Sequence, residues 1–320
     1  MDGFPNFNPK DDDHEFVTVS ILCPNHLQTN VFPNDDKGDG FNFHEVDPSV
    51  PIVIYFHVGG FIMGSSLDLY TVMLFDKLVQ SQQGKQTKTQ PPPDVIFLSV
   101  EYRLAPEHPF PSGVIDCLSI MEYVCSSHVS PDSRKFHLAG SSAGGNYCTV
   151  VTMEHLRHFQ DHHHRISSVL IDIPALDPKA NSFSHYINSK SSIAPWMTWT
   201  WRSYLSSTCK DDEKDFNTNI IHVQKSAWMK HAGTSRLIYP TASVPLARNN
   251  GGDSINFIVV TSLADPLHDE GVELVHKMEE MGYTHVKHFE TMSGHATYSL
   301  CDRSMAQKIY HTWSSYIFQN

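Results

Sequence analysis

The chain has 320 residues, enough for one large α/β domain or two small ones, and its 40% hydrophobic and 18% charged residues exclude a disordered chain. A formal net charge of -12, from 23 Lys and Arg against 35 Asp and Glu, excludes the basic footprint of a nucleic-acid binder. No run of 18 apolar residues occurs, so no membrane-spanning helix is expected.

The segment from Met1 to Glu15 is acidic and polar, without the basic start and apolar middle of a signal peptide. The six cysteines are scattered, with no C-x-x-C pair and no metal-ligand spacing, and read as thiols of a reducing compartment. A cytoplasmic location follows as the expectation.

Short apolar runs alternate with helix-length amphipathic stretches, the pattern of a mostly parallel sheet with helices on both faces, and hence of an α/β fold. Pro51 to Phe56 (PIVIYF) predicts a buried strand, and Leu67, Tyr70, Leu74 and Leu78 recur at helical spacing up to Gln80. The polar stretch from Ser81 to Pro93, closed by three prolines, predicts an exposed loop. Asp94 to Tyr102 predicts the next strand, Gly113 to Val124 a helix, Lys135 to Ala139 a strand and Ala143 to Leu156 a helix.

Ser167 to Ile173 predicts a further strand, after which the rhythm stops between residue 178 and about 244. That interval holds Trp196, Trp199, Trp201 and Trp228, four of the five tryptophans, together with Tyr204, as a cap packed over a sheet edge would. A second domain is the rival reading, but the rhythm then resumes. Ile255 to Thr261 predicts a strand, Asp269 to Met281 a helix with Leu274, Met278 and Met281 on one face, and Gly282 its stop. His285 to Glu290 predicts the last strand and Ser304 to Phe318 the closing helix.

Chemistry concentrates at the ends of these strands. Gly140-Ser141-Ser142-Ala143-Gly144 lies between a predicted strand and a predicted helix, the context in which a G-x-S-x-G turn presents its serine as a nucleophile. A hydroxyl needs a base at neutral pH, and the base needs a partner to fix its tautomer. Asp265 and His295 follow the last two strands in the order that such a fold requires, so Ser142, Asp265 and His295 are the candidate catalytic residues.

Asp269 competes for the acid role but reads better as a helix N-terminal residue. His162, His163 and His164 read as a solvated loop rather than as a metal site.

Acyl transfer also needs donors for a developing oxyanion, and His57-Val58-Gly59-Gly60-Phe61 follows the first strand like an H-G-G-G loop with one position changed. Gly59, Gly60 and Ala143 are the expected donors. Phe61, Ile62 and Met63 beside that loop, Ser141 beside the nucleophile, and the tryptophans of the insertion are the candidate substrate-binding residues.

With these motifs in place, the chain resembles the hormone-sensitive-lipase-like group of α/β-hydrolases, and plant carboxylesterases in particular. Val100 to Pro111 (VEYRLAPEHPFP) looks like the long marker segment of that group, and Ala139 to Asn146 (AGSSAGGN) like its nucleophile motif. Asp265-Pro266-Leu267 and Gly294-His295 match its acid and base positions.

The resemblance implies a single α/β-hydrolase domain over 1–320, a cap from the N-terminal segment and from about 178–244, no cofactor and no metal. It also implies hydrolysis of a small apolar ester through an acyl-enzyme, by a monomer or homodimer. Arg103 and Glu107 are expected to form a buried structural pair.

Two positions depart from the pattern. Val58 stands where the triplet usually begins with glycine, and Ser141 replaces the acid that commonly precedes the nucleophile, removing a charge there. Two further readings therefore stay open. One is an eliminase, dehydratase or cyclase of plant specialised metabolism with His295 as base; the other is a binding protein like the gibberellin receptors, which lack the histidine.

Overall fold

The computed structural model describes residues 17–24, 46–83, 93–125, 134–158, 165–191, 193–205, 237–238, 240–247 and 255–318. Most of the predicted 81–93 loop, His162 to His164, Cys209 and Trp228 lie outside them.

Among the described residues, seven strands form one sheet: β1 (Thr18–Leu22), β2 (Ile52–Phe56), β3 (Ile96–Glu101), β4 (Phe136–Ser141), β5 (Ile166–Asp172), β6 (Asn256–Ala264) and β7 (Val286–Gly294). Their order is β1-β3-β2-β4-β5-β6-β7, with β1 antiparallel to β3 and every other pair parallel. This is the architecture of an α/β-hydrolase fold. Strand β1 has no counterpart in the sequence reading: TVSIL is short, and its place is set by pairing with a strand far along the chain.

Alternation along each strand divides the core into two layers. Ile52, Ile54 and Phe56 of β2 face one layer with residues of helices α2 (Ser112–Cys125), α3 (Ala143–His158) and α6 (His268–Glu280). Val53 and Tyr55 face the other, with Leu74 and Leu78 of helix α1 (Leu69–Gln83) and Ile309, Trp313 and Ile317 of the closing helix α8 (Arg303–Ile317). The central strands are buried on both faces, which is why they read as continuous apolar runs rather than alternating ones.

The described part of the insertion includes helices α4 (Phe183–Ile187) and α5 (Ile193–Tyr204) and a short 3-10 helix, Pro240–Ser243. The apolar side of α5 puts Met197, Trp201 and Tyr204 into the first layer. A short helix α7 (Tyr298–Cys301) follows β7.

The chain runs from β2 outward to β3, then crosses back over β2 to β4 and continues the other way. The carboxyl ends of β2 and β4 therefore lie side by side with their connections leaving in opposite directions, the place where open α/β sheets hold their ligands.

Candidate active site

Strand β4 ends at Ser141 and helix α3 begins at Ala143, so Ser142 alone makes the turn between them. It does so with φ 56, a left-handed conformation that costs a non-glycine residue about 1–3 kcal/mol. The surroundings hold it there. The Ser142 N–H donates to the Asp172 carbonyl at 2.9 Å, and the Ser142 carbonyl accepts from the N–H groups of Asn146 and Ala175 at 3.1 Å each. Gly144 packs so closely on the end of β2 that a Cβ there would stand 2.0 Å from the Phe56 carbonyl oxygen.

Asp265 and His295 leave β6 and β7 at the same level, since Ala264 pairs with Gly294 in the parallel register. His295 Nδ1 lies 2.8 Å from Asp265 Oδ2, and His295 Nε2 lies 3.0 Å from Ser142 Oγ. An ionised carboxylate only accepts, so Nδ1 carries the proton toward Asp265 and Nε2 is left to accept from the serine hydroxyl. The second Asp265 oxygen accepts the Leu267 N–H at 3.0 Å, which fixes the carboxylate plane in a site only 1% exposed.

Burial alone would lower the pKa of His295. The charge and hydrogen bond of Asp265, with the charge of Asp172 behind them, outweigh that and raise it above its ordinary 6.5.

The loop after β2 brings Gly59 and Gly60 beside the elbow with φ of 136 and 58, conformations that suit glycine. Among the described residues, the N–H groups of Gly59, Gly60 and Ala143 donate to no backbone acceptor. The marker segment supports this loop from below. Tyr102 donates its hydroxyl to the His57 carbonyl at 2.7 Å and stacks on the His57 ring, and the Ala105 N–H donates to the Phe61 carbonyl at 2.9 Å. From above, helix α5 closes on it: a Cβ on Gly60 would meet the Trp196 ring at 2.8 Å and Thr200 Cγ2 at 2.9 Å.

The candidate pocket residues divide. Ile62 is half-buried and Met63 is 51% exposed. Phe61 is not placed as a pocket wall: its ring stacks on Tyr204 at 4.2 Å and contacts Trp201 and Tyr147 in the core. Its φ of 68 turns the chain at this point. Ser141 is likewise spent inward, donating its hydroxyl to Asp172 Oδ2 at 2.9 Å, because the last residue of a central strand whose next residue, Ser142, turns outward has only the sheet interior to face.

The expected pair of Arg103 with Glu107 is corrected. Glu107 is exposed, and Arg103 instead grips Asp116 of α2, Nη2 to Oδ1 at 2.9 Å and Nε to Oδ2 at 3.0 Å, with the Arg103 N–H on the same carboxylate at 2.8 Å. Asp269 is turned away from His295: its Oδ2 accepts the Ser184 N–H of α4 at 2.7 Å.

The reading of Ser141 as a lost charge also needs amending. Asp172, directly opposite Ser141 in the register of β4 and β5, puts a carboxylate back beside the elbow. Its oxygen Oδ2 accepts from Tyr70 of α1 at 2.8 Å as well as from Ser141. Burial pushes its pKa up to about 6, against the pull of hydroxyls from Tyr70, Ser141 and Tyr298 and of the nearby His295. A single acid inside SSVLIDIPAL was the available signal, because a carboxylate at the end of a buried strand requires partners.

Among the described residues, no group of three or more His, Cys, Asp or Glu is placed to hold a metal ion, and no helix is long and apolar enough to cross a membrane.

Comparison with known proteins agrees with the fold. A family model described as the alpha/beta hydrolase fold matches residues 53–298. The chain is 34% identical over 103 residues to esterase LipI of Mycobacterium tuberculosis, covering 32% of this chain and 28% of that protein. It is 33% identical over 108 residues to carboxylesterase NlhH of the same organism, covering 33% and 30%. To tuliposide A-converting enzyme 2 of Tulipa gesneriana it is 29% identical over 155 residues, covering 43% and 37%.

The chain thus spans about three-tenths of the length of the first curated relatives it matches. Among solved structures, an esterase of Pyrobaculum calidifontis superimposes with TM-score 0.60 at 21% identity over 84% of this chain and 76% of that one. Esterase LipW of Mycobacterium marinum does so with TM-score 0.62 at 18% identity over 94% and 81%. The matched span of 53–298 runs from β2 past His295 and takes in every element that carries the site, and the chain belongs to the alpha/beta hydrolase fold family.

Proposed function

We propose that the protein is a serine carboxylesterase that hydrolyses a small apolar carboxylic ester through an acyl-enzyme. The observation that carries this reading is the continuous relay from Ser142 Oγ through His295 to Asp265, at 3.0 and 2.8 Å. Ser142 Oγ attacks the ester carbonyl while its proton passes to His295 Nε2, and Asp265 stabilises the imidazolium that forms.

The unspent N–H groups of Gly59, Gly60 and Ala143 receive the oxyanion. His295 then protonates the leaving alcohol, which departs as the carbonyl re-forms and leaves the acyl group on Ser142. A water activated by the same imidazole hydrolyses that acyl group.

The names of the similar proteins support the reaction class, since LipI is an esterase and NlhH a carboxylesterase. An apolar acyl or alcohol group suits the mouth, where half-buried Ile62 and Trp196 adjoin the oxyanion loop. Helices α4 and α5 of the insertion act as its cap. A plant setting, consistent with the likeness to the tulip enzyme and to probable carboxylesterase 13 of Arabidopsis thaliana, belongs to the same reading.

The test is labelling by a serine-directed fluorophosphonate together with turnover of p-nitrophenyl acetate. Wild type should turn over the ester and label at Ser142, and Ser142→Ala should lose both, with kcat falling about 10⁴-fold or more. An unlabelled wild type that is inert to esters sinks the proposal.

A further inference from the structure

The triad skips a strand. Ser142 follows β4, Asp265 follows β6 and His295 follows β7, so the imidazole that links them spans the end of β5 between. The last residue of β5 is Asp172, which is 1% exposed and has no part in the mechanism above.

Asp172 touches the elbow twice. Its main-chain carbonyl accepts the N–H of Ser142 itself, and its carboxylate accepts the hydroxyl of Ser141 at 2.9 Å. Tyr70 holds the same carboxylate oxygen from α1 at 2.8 Å, while the other oxygen, Oδ1, is buried without a hydrogen-bond partner. Hydroxyls answer part of the carboxylate's charge but no cation is hydrogen-bonded to it among the described residues, and in a low-dielectric interior the charge acts on the imidazolium of the site. His295, which reaches across the end of β5 to Ser142, is drawn on by the charge of Asp172 as well as by that of Asp265.

We infer that Asp172 is a second positioning acid of this site: it locks the nucleophile elbow through its carbonyl and its bond to Ser141, and its carboxylate charge strengthens His295 as a base alongside Asp265. Asp172 makes no contact with the reacting atoms and acts only through Ser142 and His295. Ser141 carries no charge before the nucleophile, and the carboxylate beside it comes from the neighbouring strand β5, which lies between the strands that lead to Ser142 and His295.

The titratable groups around Asp172 are few and known. Tyr70 faces it from α1, Tyr298 from α7 and Tyr310 from α8, with Tyr55 of β2 nearby, and burial keeps all four phenols neutral. Asp68, ahead of α1, acts on Tyr55. His295 itself faces Asp265 and Asp172. Lys77 of α1 lies farther out, over the Tyr310 ring at 5.6 Å and on the Ser299 carbonyl at 2.8 Å.

The proposal rests on the esterase reading for its kinetic readout and is tested by a second readout that does not. Asp172→Asn keeps the shape and removes the charge. The imidazole of His295, identified among 21 histidines by its absence from His295→Gln, is titrated by NMR in wild type and variant. Loss of a nearby negative charge should lower its pKa by about half a unit or more, and the acid limb of kcat/KM for p-nitrophenyl acetate should move down with it.

A His295 that titrates at the same pH in both proteins overturns the inference, as does an Asp172→Asn enzyme whose activity falls equally at every pH. If Asp172→Asn does not fold, Tyr70→Phe serves instead. With one hydroxyl withdrawn, Asp172 stays neutral to higher pH and His295 should titrate lower by a smaller amount; an unmoved value again overturns the inference. Absence of ester turnover in wild type counts against the esterase reading alone and leaves the NMR comparison decisive.

Discussion

Replacing Gly144 with alanine tests whether the nucleophile and the oxyanion donors are held in register by backbone contact. A Cβ on Gly144 would stand 2.0 Å from the Phe56 carbonyl oxygen and 2.4 Å from that of His57. Neither atom is a side-chain end that can swing aside, and reaching an ordinary contact of 3.4 Å requires about 1.4 Å of separation between the first turn of α3 and the end of β2. Ser142 and Ala143 lie on one side of that opening, Gly59 and Gly60 on the other.

Displacement of reacting groups by about 1 Å costs roughly 10²-fold in rate. Overpacking at such a contact costs about 1–3 kcal/mol, or a few degrees of Tm for each kcal/mol lost. The assay is kcat/KM on p-nitrophenyl acetate beside a thermal melt.

Gly282→Ala is the control, because Gly282 also has positive φ, 90, but a Cβ there meets only Ala247, at 3.7 Å. It should lower Tm by a similar amount and leave kcat/KM alone. A Gly144→Ala enzyme within threefold of wild type in kcat/KM would refute the argument.

Three further expectations concern the acid, the base and the scaffold. Asp265→Asn should keep the fold, since the amide oxygen can still accept the Leu267 N–H, yet lose about 10⁴-fold in kcat because it no longer enforces the Nδ1–H tautomer; a loss under tenfold would remove Asp265 from the relay. The base works only when neutral and its pKa is raised, so kcat/KM should climb with pH through a midpoint above 6.5, and a limb below that value contradicts the ion pair with Asp265. Asp116→Ala removes the carboxylate that the partly buried Arg103 guanidinium grips and should cost about 1–3 kcal/mol in denaturant unfolding, whereas Glu107→Ala should stay within about 0.5 kcal/mol; equal effects would restore Glu107 as the partner.

Features set by local chain geometry were legible in the sequence, and features set by distant partners were not. The elbow at 140–144 could be read because a strand, a tight turn and a helix are all short-range patterns, and Asp265 and His295 could be placed because chain order limits which strand ends they leave. Arg103 misled because Glu107, four residues on, is near in sequence, while its actual partner Asp116 is brought close only by the packing of α2. Phe61 misled for a related reason: adjacency to the glycine pair suggested the pocket, but a left-handed φ delivers its ring to Tyr204 instead. Asp172 passed unremarked inside a strand that was itself correctly anticipated, since its partners Tyr70 and Ser141 lie on other elements.

Strand β7, which leads into His295, the proposed base, is the last in the sheet order and pairs with β6 alone among the described strands. Four of its nine residues are exposed, and only Thr291 is fully buried. The proposed nucleophile and oxyanion donors are rooted in β2 and β4, which are paired on both sides. Opening free energy differs between such places: a rim strand can detach in a partial excursion that leaves the centre folded. The machinery is therefore divided between a stable half and a labile half, and on warming the imidazole should part from the serine while the core still reads as native, making loss of catalysis an early report of fraying at that edge.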